Sequence, residues 1–217
     1  MSRPLVSVVV ATHDRPAELA MCLASYACQT FRDFEVIVVH EPSKLRRESK
    51  RVVRRMGDKR FRWVEYPKRE DDFGSRAKDF GGKEVARGWV IQHQNGDNYV
   101  TPVFLDRMVA PFYQGATFVY CDRLGCGTTA VAFQKDGSLA LTDGKNDQIY
   151  VVHQADMVRS GYKYSGIDGS SWLCDAEIVR RTPWDIKDGL LADYRLAVAL
   201  YEQSKPVKVD EVLWIHN

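Results

Sequence analysis

Nowhere in the 217 residues is there an apolar run able to cross a bilayer, which takes about 20 residues. The start of the chain has no signal-peptide core, because Leu5 to Ala11 is too short and meets His13-Asp14-Arg15-Pro16 at once. Cysteine is scarce: the five thiols are odd in number and follow no framework spacing, so reduced thiols and a cytoplasmic setting are expected. Cys121 and Cys126 lack the spacing of common zinc sites and are expected to be structural. No stretch reads as a linker, and the length suits one well-cored domain over 1–217. Large net charge is also missing, at +2 with 45% apolar and 28% charged residues, which is the profile of a globular protein without nucleic acid as partner. One segment departs from that balance. Lys44, Arg46, Arg47, Lys50, Arg51, Arg54, Arg55, Lys59, Arg60 and Arg62 face only Glu48 and Asp58. A solvated helix face is the expectation there, with peripheral contact to the inner face of an anionic membrane, or contact with a nucleic acid, as the alternatives.

What is present is an alternation of strands and helices. Leu5 to Ala11 is β-branched and apolar on both faces, as a central parallel strand is. Pro16 opens a helix to about Cys28 with Leu19, Cys22, Leu23 and Tyr26 on one face, and Phe34 to His40 is a second strand. Lys44 to Met56 reads as a helix, Phe61 to Tyr66 as a strand, and the run from Asp71 opens a helix to Arg87. Trp89 to His93 reads as a short buried strand. These units place the first hundred residues in the mononucleotide-binding class of α/β architecture. Further on come a helix after Pro102, a strand at Thr117 to Cys121, a hairpin around Asp136-Gly137, a helix from Asp188 to Tyr201 and a terminal strand or hairpin from Val207 to His216. Ile149 to Trp172 shows no clear pattern.

The turn Asn95-Gly96-Asp97-Asn98 follows the strand that starts at Trp89, at the end where open α/β sheets bind ligands. Asp97 is a hard oxygen donor, Asn95 and Asn98 are neutral ones, and Gly96 lets backbone approach a phosphate or metal closely. The same four residues also make an ordinary turn.

Several segments, in order, resemble the inverting nucleotide-sugar glycosyltransferases of family 2, which have the GT-A fold. Pro4-Leu-Val-Ser-Val-Val-Val-Ala-Thr-His-Asp-Arg-Pro16 is similar to that family's opening strand and loop. Cys28-Gln-Thr-Phe31 with Asp33 to Val39 resembles its second-strand signature, and Ser75-Arg-Ala-Lys-Asp-Phe-Gly81 with Ala86-Arg-Gly88 resembles its Ala-Arg-Asn-x-Gly run. The match is collinear from Pro4 to about Val109, then thin until Trp184-Asp185 and Leu191 to Leu196. It implies a mostly parallel, Rossmann-like sheet flanked by helices with a smaller antiparallel part on the acceptor side. It also implies a nucleotide-sugar half over 1–101 and an acceptor half over 102–217.

Carried over residue by residue, the resemblance puts Thr12, His13 and Arg15 around the nucleotide. Glu41 would accept from the base edge, although a solvent-facing carboxylate at a strand end remains its alternative. Lys78 and Asp79 would lie beside the nucleotide, with Asn95 and Gly96 at the diphosphate. The family's Asp-x-Asp metal motif is Asn95-Gly96-Asp97 here, so Asp97 is the expected ligand of Mg2+ or Mn2+ and the amide weakens that site. His216 is a second metal candidate. Asp193, in Ala192-Asp193-Tyr194, is the expected catalytic base, without the Glu that usually precedes it. His93 and His153 are expected to be structural. Asp168 and Asp175 flank Gly-Ser-Ser-Trp172, an expected acceptor pocket with a Trp face for a sugar ring.

The expected activity is metal-assisted, inverting hexosyl transfer from a UDP-sugar to a hydroxyl acceptor, as in polysaccharide biosynthesis. Two rivals remain. A degenerate member would bind nucleotide or glycan without turnover. A nucleotidyltransferase would need a Gly-rich, basic loop after the first strand, which Thr12 to Pro16 is not.

Overall fold

A computed structural model describes residues 4–70, 72–125, 129–133, 139–143, 150–152, 169–186 and 192–216. The centre of the sheet is β1 (Val6–Thr12), every residue of which is buried. The helix α1 (Pro16–Ala27) crosses over from it to β2 (Phe34–His40), which runs parallel to β1 with Val6 opposite Phe34. α2 (Arg46–Arg55) leads on to β3 (Phe61–Glu65), which extends the parallel sheet outward. α3 (Ser75–Phe80) runs into a π-helical turn, Gly81–Val85, and β4 (Val90–Asn95) then joins the other side of β1, also parallel, with Ala11 opposite Asn95.

The pleat of β1 divides the core in two. Val8 and Val10 pack with Leu19, Leu23 and Tyr26 of α1, while Val9 and Ala11 face the opposite layer with Ala77 of α3. The first strand of that layer was legible as a parallel one because residues buried on both faces must all be apolar. β4 departs from that rule: Gln92, His93 and Gln94 are buried in it. Tyr26 Oη donates to Gln92 Oε1 at 2.9 Å, Gln94 Nε2 donates to Tyr26 Oη at 3.0 Å, and Trp214 Nε1 donates to Gln94 Oε1 at 3.2 Å. Partners from α1 and the terminal strand therefore satisfy the two glutamines, whereas the ring nitrogens of His93 have no hydrogen-bond partner among the described residues. Trp89, expected at the start of this strand, lies outside it and is 56% exposed.

β5 (Tyr99–Val100), α4 (Phe104–Val109) and β6 (Phe118–Gly125) follow. β7 (Thr129–Phe133) and β8 (Leu139–Asp143) form the expected hairpin as a separate antiparallel pair, and β9 (Tyr150–Val152) pairs with β6. β10 (Trp172–Asp175) runs antiparallel between β4 and β6, and α5 (Ala176–Arg181) caps onto it through Asp175. The chain ends on α6 (Ala192–Glu202) and β11 (Pro206–His216), a single strand parallel to β6 with two register shifts. The main sheet therefore runs β3-β2-β1-β4-β10-β6-β11-β5, so its antiparallel part lies on the second half of the chain, as expected. It is the mixed α/β arrangement of a GT-A fold. Asp168, His153, Asp136, Gly137 and Cys126 lie outside the described residues.

No helix among the described residues is long and apolar enough to cross a membrane.

Candidate active site

The cleft opens at the carboxyl ends of β1, β2 and β4, where strands running the same way leave their loops side by side. Gly96 N–H donates to Ala11 O at 2.9 Å, which folds the turn after β4 against the end of β1. A Cβ on Gly96 would stand 3.0 Å from Thr12 Cβ, so the close approach depends on its absence. The resulting hollow measures about 470 Å³. Thr12, His13, Arg15 and Glu41 form one side of its lining, and Asn95, Gly96, Asp97 and Asp193 complete what the sequence led us to expect there.

Sequence reasoning missed the remaining wall, which is Arg69, Glu70, Phe73 and Gly74. The signal available was Asp72-Phe73-Gly74, a turn-forming run ahead of a helix. Phe73 (φ 55°) and Gly74 (φ 76°) both take the left-handed conformation, which presents Phe73, 71% exposed, at the rim. A Cβ on Gly74 would come within 2.8 Å of Ala11 Cβ, so glycine lets this loop press on the end of β1.

Below the cleft floor lies Lys78, whose side chain is completely buried. Its Nζ donates to Asp193 Oδ2 at 2.9 Å, Asp193 Oδ1 at 3.1 Å and Asn95 Oδ1 at 3.0 Å. A buried ammonium is tolerable only when so compensated. The ring of Trp184 lies 5.5 Å from Nζ, and Trp184 stacks on His93 with centroids 5.1 Å apart. Burial, and then the charge of Lys78, push the His93 imidazole well below its usual pKa, so it is neutral. Gly169 backs Asp193 so closely that a Cβ there would lie 2.3 Å from Asp193 Cβ. Asp193 is thus held from below by an ammonium and from one side by backbone.

Asp97 is paired with the Arg15 guanidinium. Glu41 is buried, and its Oε1 has no hydrogen-bond partner among the described residues. Burial raises its pKa to about 7, and the nearby Asp72 carboxylate adds to that. Thr12 Oγ1 is likewise buried without a partner. Two unsatisfied polar atoms on one wall of a cleft are groups that a polar ligand would satisfy.

Besides the buried Lys78, two more expected site residues do not line this hollow. Asp79 follows Lys78 by one helical position, about 100° around the axis, and points away to pair with Lys83 at 2.7 Å. His216 comes close in register, since Ile215 pairs with Tyr99, but its ring stacks on Trp214 and it is not part of the lining. The expected acceptor pocket is also corrected. Trp172 is wholly buried against Phe118 and His93, because its strand lies in the middle of the sheet, and no sugar can reach its face. Asp175 is a helix cap that accepts from the N–H groups of Glu177 and Ile178.

The donor set does not fit a divalent ion held by the protein. Asn95 Oδ1 accepts from the Lys78 ammonium, Asp97 carries Arg15, and among the described residues no three His, Cys, Asp or Glu side chains gather as a metal site. The two carboxylates that a cation would seek each have a basic side chain already against them.

The profile of Glycosyl transferase family 2 matches residues 7–180. Among solved structures, S. aureus TarS 1–349 matches with TM-score 0.73 at 13% identity, over 98% of this chain and 60% of its own. The same protein in complex with UDP-GlcNAc gives 0.68 at 14% identity, over 97% and 58%. A mannosyltransferase from Pyrobaculum calidifontis in complex with GDP-Man and Mn2+ gives 0.65 at 14% identity, over 100% and 57%. The chain thus spans about three fifths of the length of these proteins, and at such identities the likeness is one of fold. No curated protein sequence matches it. With most of its length covered by the profile, the chain belongs to glycosyl transferase family 2, a family of enzymes.

Proposed function

We propose that this cleft binds a nucleoside diphosphate sugar and transfers the sugar, with inversion, to a hydroxyl acceptor. The observation that carries the reading is that Asp97 and Asp193, almost a hundred residues apart in sequence, open onto one hollow together with Thr12 and Glu41. In this reading the base of the nucleotide lies against Thr12 and His13, with a ring N–H donating to Glu41. The diphosphate lies over Asn95 and Gly96, where Arg15 answers its negative charge. The first half of the chain, 1–101, serves the donor and 102–217 the acceptor.

Asp193 is the proposed base. It takes the proton of the acceptor hydroxyl as that oxygen attacks the anomeric carbon from the face opposite the phosphate. The new carbon–oxygen bond forms while the bond to the β-phosphate oxygen breaks, and the nucleoside diphosphate leaves with the electron pair. Lys78 fixes the Asp193 carboxylate by donating to both of its oxygens, while Gly169 limits where it can sit. Because the donor set around Asp97 does not fit a resident Mg2+ or Mn2+, no step is assigned to a metal. UDP and GDP donors both suit the chemistry of Glu41, since uracil offers one ring N–H and guanine an N–H beside an amino group. The relatives bound to UDP-GlcNAc and GDP-Man support testing both.

The test is release of nucleoside diphosphate from a panel of UDP- and GDP-sugars, with and without hydroxyl acceptors. Turnover that falls at least about a hundredfold in Asp193→Asn supports the reading. Tight nucleotide binding with no turnover from any donor would favour the degenerate, binding-only alternative, and release of pyrophosphate from a nucleoside triphosphate the nucleotidyltransferase one.

A further inference from the structure

We propose that α2 is a docking face for an anionic phospholipid surface, and that it holds the cleft beside that surface. Six of the ten residues of Arg46–Arg55 are cationic and one is acidic. Ser49 and Val53 are buried and Val52 packs on the core, so the helix rests on the sheet by a narrow stripe and presents most of its cations outward. Glu65 takes Arg46 at 2.5 Å and Lys50 at 3.1 Å. Arg47, Arg51, Arg54 and Arg55 have no carboxylate against them among the described residues and are all exposed.

These positions are not scattered. Arg47, Lys50, Arg51 and Arg54 follow each other at three- and four-residue intervals, so they stack along one side of the helix. Together they line a shallow hollow of about 250 Å³. All four lining residues are cationic, and Glu65 answers only Lys50 among them, so Arg47, Arg51 and Arg54 leave a positive surface that suits a phosphate group. Leu45, at the start of the helix, is 38% exposed and adds an apolar edge.

The composition favours a lipid surface over a nucleic acid. Single strands are gripped by aromatic side chains that stack on bases, and α2 has none. Base edges in a groove are read by amide and hydroxyl groups as well as Arg, and the one hydroxyl on the helix, Ser49, faces inward. Bare Lys and Arg on long apolar stems are instead what a sheet of lipid phosphates attracts.

The helix is also tied to the cleft. Leu45 N–H donates to Asp14 Oδ1 at 2.9 Å, and Asp14 follows His13 of the cleft lining. Ser43 hydrogen-bonds the His40 ring at 3.0 Å, which secures the link between β2 and α2. A surface gripped by α2 therefore lies next to the loop that edges the cleft, within reach of acceptor hydroxyls carried at a membrane. The docking itself does not depend on the sugar-transfer reading.

The experiment is co-sedimentation of the whole chain with phosphatidylcholine vesicles and with vesicles that also contain about a third phosphatidylglycerol, at low and high salt. Binding is expected only to the anionic vesicles and is expected to be lost near 0.5 M salt, where screening reaches about 4 Å. The triple variant Arg47→Gln, Arg51→Gln, Arg54→Gln should lower partitioning about a hundredfold, roughly fivefold for each cation. Its melting temperature and nucleotide binding should stay unchanged, which separates lost docking from lost folding. Equal binding to neutral vesicles, no binding to anionic ones, or an unaffected triple variant would overturn the proposal. So would tighter, salt-sensitive capture of duplex RNA or DNA than of the vesicles.

Discussion

Lys78 Nζ bridges both carboxylate oxygens of Asp193, at 2.9 and 3.1 Å, from a position with no contact with solvent. The pair is asymmetric, because Asp193 reaches the cleft and Lys78 does not. Removing the carboxylate strands a buried ammonium, whereas removing the ammonium leaves a carboxylate that water can reach. Asp193→Ala is therefore expected to destabilise the fold by about 3 kcal/mol and Lys78→Met by less. A double-mutant cycle in urea should give a coupling of about 2 kcal/mol, and additive effects would break the link.

Gly169→Ala tests position without touching charge. The new Cβ would fall 2.3 Å from Asp193 Cβ and 2.7 Å from its Cγ, so the carboxylate must move. A displacement near 1 Å is expected to lower kcat about a hundredfold. Calorimetric affinity for the nucleoside diphosphate should hold, since Gly169 does not touch the opposite wall. Equal loss of both would mean that the whole cleft had collapsed.

Arg15 and Asp97 decide how the diphosphate is met. In the presence of a chelator the wild-type chain should bind nucleoside diphosphate, and Arg15→Ala should weaken that binding about tenfold. The variant also frees Asp97, so added Mn2+ should rescue it more than it helps the wild type. Wild-type binding that needs Mn2+ outright would contradict this.

Glu41 gives a pH signature. Its pKa of about 7 is raised from 4.5, so its protonated form is favoured by the fold. Destabilisation from ionising it sets in above the unfolded value and is complete above about 7. Glu41→Gln should therefore raise the melting temperature more at pH 8 than at pH 5. For the ligand the sign is opposite: a base N–H needs the carboxylate, so affinity should rise from pH 6 to pH 8 in the wild type and stay flat in the variant.

What the sequence disclosed depended on how local each signal was. β1, β2, α1 and α2 were legible from apolar runs and periodic faces that need no knowledge of neighbours. β10 was not, because four residues after a Gly-Ser-Ser run carry no period, yet they sit mid-sheet between β4 and β6. Lys78 was expected beside the nucleotide, but its burial depends on Asp193, 115 positions away, and on Trp184, and neither is visible locally. Trp172 failed in the opposite sense: an aromatic beside small polar residues resembles a sugar platform, and only the strand order shows it to be core. The wall formed by Arg69, Glu70 and Phe73 comes from a loop whose course is set by two left-handed residues.

A crystal structure of the chain with UDP or GDP bears most directly on the central claim. The diphosphate is expected over Asn95 and Gly96 within reach of Arg15, with the base edge at Glu41 and open space left between the phosphate and Asp193. Nucleotide seated on the cations of α2, or a cleft left empty at saturating nucleotide, would contradict it.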